Sequence, residues 1–186
     1  MLVEKNKEYK VNIIDNGYEG EGIAKIEDFT IFIKGAIKGE TCKIVITKVN
    51  KSFAFGKLLE VIQASESRTE PDCATYKRCG GCSLRHIKYE ETLKIKKDMV
   101  QNLINKGLEN KITVNDVIGM ETPYNYRNKL QYPVGANKEG KPVMGVFANR
   151  THEIIPIQEC LIQNKEAEKV AKEIFNFIKE NHISIY

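Results

Sequence analysis

Apolar and polar residues alternate from Cys42 onward: Cys42, Ile44 and Ile46 share one face of an extended chain, and Lys43 and Thr47 the other. That two-residue period predicts a strand. Upstream, Tyr9 to Ile14 is apolar-rich and stops at Asp15-Asn16-Gly17, a strong turn signal. Glu19-Gly20-Glu21-Gly22 makes a second turn, and Phe29 to Ile33 is a β-branched and aromatic run closed by Lys34-Gly35. Phe53 to Ile62 predicts a further strand, interrupted at Gly56, which suits a bulge or a barrel bend. Helical periodicity is absent from this stretch. Short strands joined by Gly-rich turns predict a small five-stranded, OB-like β-barrel over residues 1–62.

The period then changes. Residues 63–72 are polar up to Pro71 and read as a linker. Tyr89, Leu93, Val100, Leu103 and Ile104 fall on one stripe of a helix, with Gly107 where a C-terminal cap belongs. Lys129 to Gly135 and Pro142 to Phe147 flank Asn137-Lys138-Glu139-Gly140 and predict a hairpin, followed by a strand over His152 to Ile157. Ala167, Val170, Ala171, Ile174, Phe177 and Ile178 form the stripe of a second helix. Ile183-Ser184-Ile185-Tyr186 reads as a strand beginning, so the chain is expected to be the amino-terminal portion of a longer one. The fold class is α+β: a barrel, then a second α+β domain over residues 73–186.

Composition narrows the setting. The 186 residues suffice for one large domain or two small ones. No apolar run approaches the roughly 20 residues of a membrane span, and the first residues lack a secretory signal. A cytoplasmic protein with no membrane partner is expected. The net charge of +4 permits a polyanionic partner without demanding one.

Candidate chemistry centres on cysteine. Three of the five cysteines crowd into Cys73-x5-Cys79-Gly-Gly-Cys82, and Cys160 follows far downstream behind Ile-Pro-Ile-Gln-Glu. In a reducing compartment such a cluster points to metal binding or catalysis rather than bridging. Soft thiolates select zinc or iron–sulfur clusters over hard cations. Spacing leaves zinc, an iron–sulfur centre and unrelated thiols all open. Cys42, on the apolar face of a strand, reads as a small buried hydrophobe. His86 and His152 read as structural.

The run Cys73-x5-Cys79-Gly-Gly-Cys82-Ser-Leu-Arg-His-x2-Tyr-x3-Leu-x2-Lys resembles the iron–sulfur motif of the RNA uracil-5-methyltransferase family. Tyr124-Asn-Tyr-Arg-Asn-Lys129 and the run from Gly145 to Cys160 resemble further motifs of that family, in the same order. The β-rich start resembles its RNA-binding barrel, the TRAM domain. The resemblance implies that Cys73, Cys79, Cys82 and Cys160 hold a 4Fe–4S cluster. It also implies methylation of uridine carbon 5 with S-adenosylmethionine, in ribosomal rather than transfer RNA. Family members carry the methyl donor and catalytic groups in a carboxy-terminal domain. This chain shows no Gly-rich strand–turn–helix of that kind, so it is expected to be inactive alone. A monomer is expected.

RNA contacts are expected from Lys48, Lys51 and Lys57, with Phe53 and Phe55 as stacking rings, and from Arg127 and Lys129. The plain alternatives are that the phenylalanines are core, the lysines a solvated rim and Arg127 a structural ion-pair partner. Lys94, Lys96 and Lys97 read as a solvated helix face. Two other functional classes fit the same residues: a non-enzymatic RNA-binding module with a zinc or iron–sulfur staple, and a redox protein.

Overall fold

The computed structural model describes residues 3–108, 112–149 and 151–185. Five strands come first: β1 (Glu8–Asn16), β2 (Gly22–Ile26), β3 (Phe29–Lys34), β4 (Thr41–Val49) and β5 (Phe53–Gln63). They close into a barrel in the order β1-β2-β3-β5-β4, with β1 completing the ring against β4. Only the β3–β5 pair within it is parallel. The long β4–β5 pair carries three register irregularities, which bend and coil the ribbon enough to close so small a ring.

The expected alternation holds in detail. Val11, Ile13, Ala24, Ile31, Ile33, Cys42, Ile44, Ile46 and Ala54 point inward and are buried. Each large aliphatic among them contributes roughly 1.5–3 kcal/mol by leaving water. Cys42 belongs to this packing, and burial, then the charge of Glu40, pushes its thiol up to about 11. Gly56 shows why β5 breaks its pattern. A Cβ there would stand 3.0 Å from Ile44 Cδ1, 3.2 Å from Ile33 Cγ1 and 3.3 Å from Ile31 Cγ2, so the barrel interior has no room for a side chain.

A carboxylate lies buried at the end of the barrel. Glu40 is 1 % exposed, and its carboxylate accepts hydrogen bonds from Ile37 N–H at 2.9 Å, Ser65 N–H at 3.3 Å and Arg68 Nη2 at 2.7 Å. Arg68 Nη2 also donates to Gly35 O at 2.7 Å. Burial pushes the Glu40 carboxyl up, but Arg68 and the two amides outweigh it and hold it below the usual range. The stretch expected to be a linker is therefore pinned at Ser65 and Arg68. Arg68 further forms a β-bridge with Ile87, and Thr69 N–H donates to His86 O at 3.0 Å.

Compactness divides the chain into Met1–Glu70 with Ser83–Gly119, and Pro71–Cys82 with Met120–Tyr186. This differs from boundaries at 62 and 73, because helix α1 (Tyr89–Gly107) groups with the barrel. Glu90 and Glu91 sit in its first turn, where the helix dipole favours anions. Its buried face is not the expected stripe. Thr92 and Ile95 are buried, Ile95 packs with Ile37 and Ile87, and Met99 lies alongside, whereas Val100 and Leu103 are about half exposed. The fully buried contacts of α1 lie in its first half, and in the second half Gln101 holds the following segment, donating to Ile112 O and accepting from Val114 N–H, both at 2.8 Å.

The second unit contains a three-stranded antiparallel sheet, β6 (Val134–Ala136), β7 (Pro142–Phe147) and β8 (Ile154–Pro156), and helix α2 (Lys165–Glu180). The hairpin stands as expected. Asn137 Oδ1 accepts from the amides of Glu139 and Lys141, and Gly140 takes φ +77°. The first strand is shorter than expected, and Lys129 to Tyr132 stay outside it. Asn164 caps α2, its side chain accepting from Glu166 N–H and Ala167 N–H. The expected α2 stripe is not a core face here: Val170, Ile174 and Phe177 are all more than half exposed. Ile183 to Ile185 do not open a strand. His182 takes φ +51° and Ile183 N–H returns to Ile178 O at 3.1 Å, which closes the helix with a left-handed turn. Tyr186, the last residue of that expected strand, lies outside the described residues.

Filling the interior at Gly56→Val should lower stability by about 1–3 kcal/mol in urea unfolding. Gly107→Ala, whose Cβ would meet nothing within 4 Å, should be neutral or slightly stabilising. Stability should also fall with acid. His86 is 3 % exposed, and burial, then the charge of Arg68, pushes its imidazole down to about 4. A depressed histidine favours folding fully above its unfolded value of about 6.5, and that contribution disappears as pH drops toward 4. A loss of roughly 2 kcal/mol between pH 7 and pH 4.5 is expected, and should shrink in His86→Gln. A flat profile across that window, the same in both proteins, would refute it.

Candidate functional site

The alternation that buries one face of β3 and β5 exposes the other. In the parallel pairing Thr30 stands beside Phe53, Phe32 beside Phe55 and Lys34 beside Lys57. Inward Ile31, Ile33, Ala54 and Gly56 separate these outward positions. The three phenylalanine rings form a cluster on the barrel surface. Phe32–Phe53 and Phe53–Phe55 meet edge to face, with centroids 5.6 and 5.5 Å apart, and Phe32–Phe55 lies at 6.1 Å. Phe55 is 42 % exposed, and Phe32 and Phe53 are half-buried. These rings are therefore an outer surface and not core.

Lysines frame them. Lys48 pairs with Phe55 across β4–β5, Lys57 and Lys34 follow the rings along their strands, and Lys51 lies in the β4–β5 turn closed by Asn50 N–H on Phe53 O at 2.8 Å. All four are exposed, and among the described residues none pairs with a carboxylate. Free ammonium groups around exposed rings suit an anionic polymer bearing flat bases. Phe32 escaped the sequence reading, because only the parallel register brings it to Phe55.

The four cysteines singled out by spacing all lie in the second unit, half-buried and as thiols rather than disulfides. Cys73 opens a turn: Tyr76 N–H donates to Cys73 O at 3.0 Å, and Cys79 N–H to Thr75 O at 2.8 Å. Cys79 bridges to Ala148 just beyond β7, and Asn149 N–H donates to Arg78 O at 3.0 Å. Arg78 Nη2 pairs with Glu153 Oε1 at 2.6 Å. Gly81 N–H donates to Cys79 Sγ at 3.3 Å. Neither Gly80 nor Gly81 takes a left-handed conformation, and a Cβ at either would meet only ordinary contacts. A Cβ at Gly81 would stand 3.4 Å from Cys79 Sγ, and one at Gly80 3.5 Å from Asn149.

Cys160 sits ahead of α2. Its N–H donates to Glu168 Oε2 at 3.3 Å, and Glu168 Oε1 pairs with Lys172 at 2.7 Å. Cys160 lines a groove of about 410 Å³ together with Tyr124, Lys165, Glu168 and Lys172. The Tyr132 hydroxyl is buried and, among the described residues, makes no hydrogen bond; burial, then the charges of Glu168 and Cys160, push it well above the usual phenol range. Among the described residues no group of three or more His, Cys, Asp and Glu side chains is arranged to hold a metal ion. The 4Fe–4S expectation is thus not shown by this geometry.

Arg127 and Lys129 lie on the segment beside Cys160. Asn125 N–H donates to Leu161 O, Arg127 N–H to Ile162 O and Asn164 N–H to Arg127 O, a parallel bridge centred on Arg127 and Gln163. Lys129 is exposed. Arg127 is half-buried, with Nη1 beside Gly81. His86 belongs to the barrel unit, and His152 stacks edge to face on Phe147 at 5.7 Å. Among the described residues no helix is long and apolar enough to cross a membrane.

Residues 2–59 match the model of the TRAM domain. Over 187 residues the chain is 47 % identical to an uncharacterized RNA methyltransferase of Clostridium acetobutylicum, covering 99 % of this chain and 40 % of that protein. It is 40 % identical over 185 residues to an uncharacterized RNA methyltransferase of Staphylococcus aureus, covering 99 % and 41 %. The chain thus spans about two fifths of the length of these curated relatives. Among solved structures it resembles the tRNA (uracil-54, C5)-methyltransferase of Pyrococcus abyssi in complex with S-adenosyl-L-homocysteine. The TM-score is 0.63 at 19 % identity, over 95 % of this chain and 38 % of that one, a likeness of fold.

Proposed function

We propose that this chain is the RNA-recognition part of an S-adenosylmethionine-dependent RNA uracil-5-methyltransferase that forms 5-methyluridine in ribosomal RNA. The observation that carries the RNA reading is the barrel face, where Phe32, Phe53 and Phe55 are framed by Lys48, Lys51 and Lys57 without carboxylate partners. Support for the enzyme class comes from relatives bearing the name RNA methyltransferase over almost all of this chain. The fold likeness to a uracil-C5 enzyme agrees with it.

The division of labour follows from chemistry. Uracil carbon 5 is a poor nucleophile until a thiolate adds to carbon 6, and the base must leave its stack to be reached. S-adenosylmethionine supplies the methyl group when bound. The thiolate, the base and the methyl-donor site are proposed to lie in the part of the relatives that this chain does not span. The present residues hold the RNA. Their rings offer stacking surface to unpaired bases, and the lysines, with Lys129 on the second unit, neutralise phosphates.

We further propose that Cys73, Cys79, Cys82 and Cys160 ligate a 4Fe–4S cluster. Four soft thiols in one unit fit it in kind, and Gly81 N–H already donates to Cys79 Sγ, the kind of amide bond that supports a sulfur ligand. Such a group supplies a rigid tie between the Cys73–Cys82 loop and the segment before α2.

Three measurements test these readings. In fluorescence anisotropy with single-stranded uridine-containing RNA, Phe32→Ala and Phe55→Ala should each weaken binding about fivefold or more. Lys57→Gln should reduce the salt slope of binding by about 0.7. The chain itself should transfer no methyl group to ribosomal or transfer RNA. Unchanged affinity in both ring variants would remove the barrel from the RNA interface. Anaerobically purified protein should contain about four irons and four sulfides per chain; one zinc in their place would overturn the cluster.

A further inference from the structure

The barrel face that carries the three phenylalanines continues onto β2. Lys25 stands beside Thr30 across the β2–β3 hairpin, and Thr30 stands beside Phe53 across the parallel β3–β5 pair. All three alternate with the buried Ala24, Ile31 and Ala54, so they share the outer side of the barrel. Neighbouring strands lie about 4.8 Å apart, so this row spans about 10 Å from Lys25 to Phe53. It presents, in order, a cation, a hydroxyl and a ring.

The following rows lack that order. Ile23, Phe32, Phe55 and Lys48 make the next one, with no hydroxyl among them, and Lys34 with Lys57 the one after, with no ring. Lys25 is exposed and, among the described residues, pairs with no carboxylate. Thr30 is half-buried, and the Ile26–Phe29 pair that closes the hairpin fixes its backbone. The other two threonines of the barrel strands have engaged hydroxyls, Thr41 on Asn12 Oδ1 at 2.9 Å and Thr47 on Phe55 O at 3.1 Å. Among the described residues the Thr30 hydroxyl makes no such bond. With its donor and its acceptors unspent, it suits a polar group held between a base and a phosphate.

We propose that Thr30 reads the ribose 2′-hydroxyl of a nucleotide whose base packs on the phenylalanine cluster at Phe53 and whose phosphate meets Lys25. The barrel then selects RNA over DNA of the same sequence. The inference rests on the reading of this face as the RNA surface. A nucleotide places its sugar between phosphate and base, which is the order of the row. Stacking and phosphate neutralisation serve both polymers, because every base has a π-face and both backbones carry the same charge. The 2′-hydroxyl, itself donor and acceptor, is what separates them at a given site. Rings and lysines alone would hold any unpaired strand, and Thr30 supplies the discrimination. The ligand is single-stranded, because in an A-form helix the base faces are stacked on one another and closed to the rings.

The test is fluorescence anisotropy with labelled oligouridine and oligodeoxyuridine of about eight nucleotides, which present the same base and differ in the sugar hydroxyl. The parent chain should bind the ribose form about fivefold more tightly. Thr30→Val keeps the β-branched shape and should keep the parent's circular dichroism. It should bring oligouridine down to the oligodeoxyuridine affinity and leave the latter unchanged. Thr30→Ser should retain the preference, and Lys25→Gln should lower the salt slope by about 0.7 for both polymers. Phe55→Ala should weaken both polymers alike. A ribose preference that survives in Thr30→Val would overturn the inference, as would equal losses on the two polymers, a parent without preference or an unmoved slope in Lys25→Gln. In each of those cases a loss in Phe55→Ala would leave the RNA face standing. Should Phe55→Ala bind both polymers as the parent does, the RNA face itself fails and this inference with it.

Discussion

The buried pair of Glu40 and Arg68 is the contact on which the barrel unit depends. Glu40 lies in the turn between β3 and β4, and Arg68 beyond the end of β5. Between them they satisfy the Ile37 and Ser65 amides and the Gly35 carbonyl. A lone carboxylate at this depth would be strongly unfavourable, and losing one member of such a pair typically costs about 3–5 kcal/mol. The pair's contribution is one of position. Arg68 bridges to Ile87, and Ile87 packs with Ile37 and Ile95, so the same contact that ends the barrel also seats the first half of α1.

A closed barrel this small leaves its strands two jobs. Inward positions carry aliphatic side chains so closely packed that Gly56 is required where Ile31, Ile33 and Ile44 converge. Outward positions are free of that demand, and there three phenylalanines gather instead of the polar residues a solvated face would select. Exposed aromatic surface costs solubility and gains nothing for the interior, so its clustering beside unpaired lysines points to a ligand. The parallel β3–β5 pairing matters to this, because it sets Phe32 and Phe55 side by side.

The barrel strands, the turns, the hairpin and both helices were legible because each follows a local rule: alternation, Gly-rich turns and an apolar stripe. Cys42 was placed correctly in the interior by the same alternation. What sequence could not give is which partner each face meets. The stripes of α1 and α2 mark real helices, yet Val100, Leu103, Val170, Ile174 and Phe177 lie about half exposed or more. Amphipathicity says that a face wants covering, not that this chain covers it. The polar segment at 63–70 looked like a linker because Arg68 reads as solvated until Glu40, 28 residues earlier, is seen to be buried against it. Register hid Phe32 for a related reason, since pairing between distant strands leaves no local trace.

The two units differ sharply in how they are held together. Among the described residues fourteen buried apolar residues, from Val3 to Ile95, belong to the barrel unit, whereas the second unit has Val146, Ile155 and Ile162. Fully buried apolar surface is thus much scarcer in the second unit, where half-buried side chains carry more of the packing. Small units in that position rely on a staple of another kind, and a metal centre is one. Among the described residues the second unit has thiols at two sequence-distant places, a glycine N–H that donates to one sulfur, and the buried Tyr132 hydroxyl without a hydrogen-bond partner. The thin core and that unspent donor are the two features of this unit that agree with the proposed cluster.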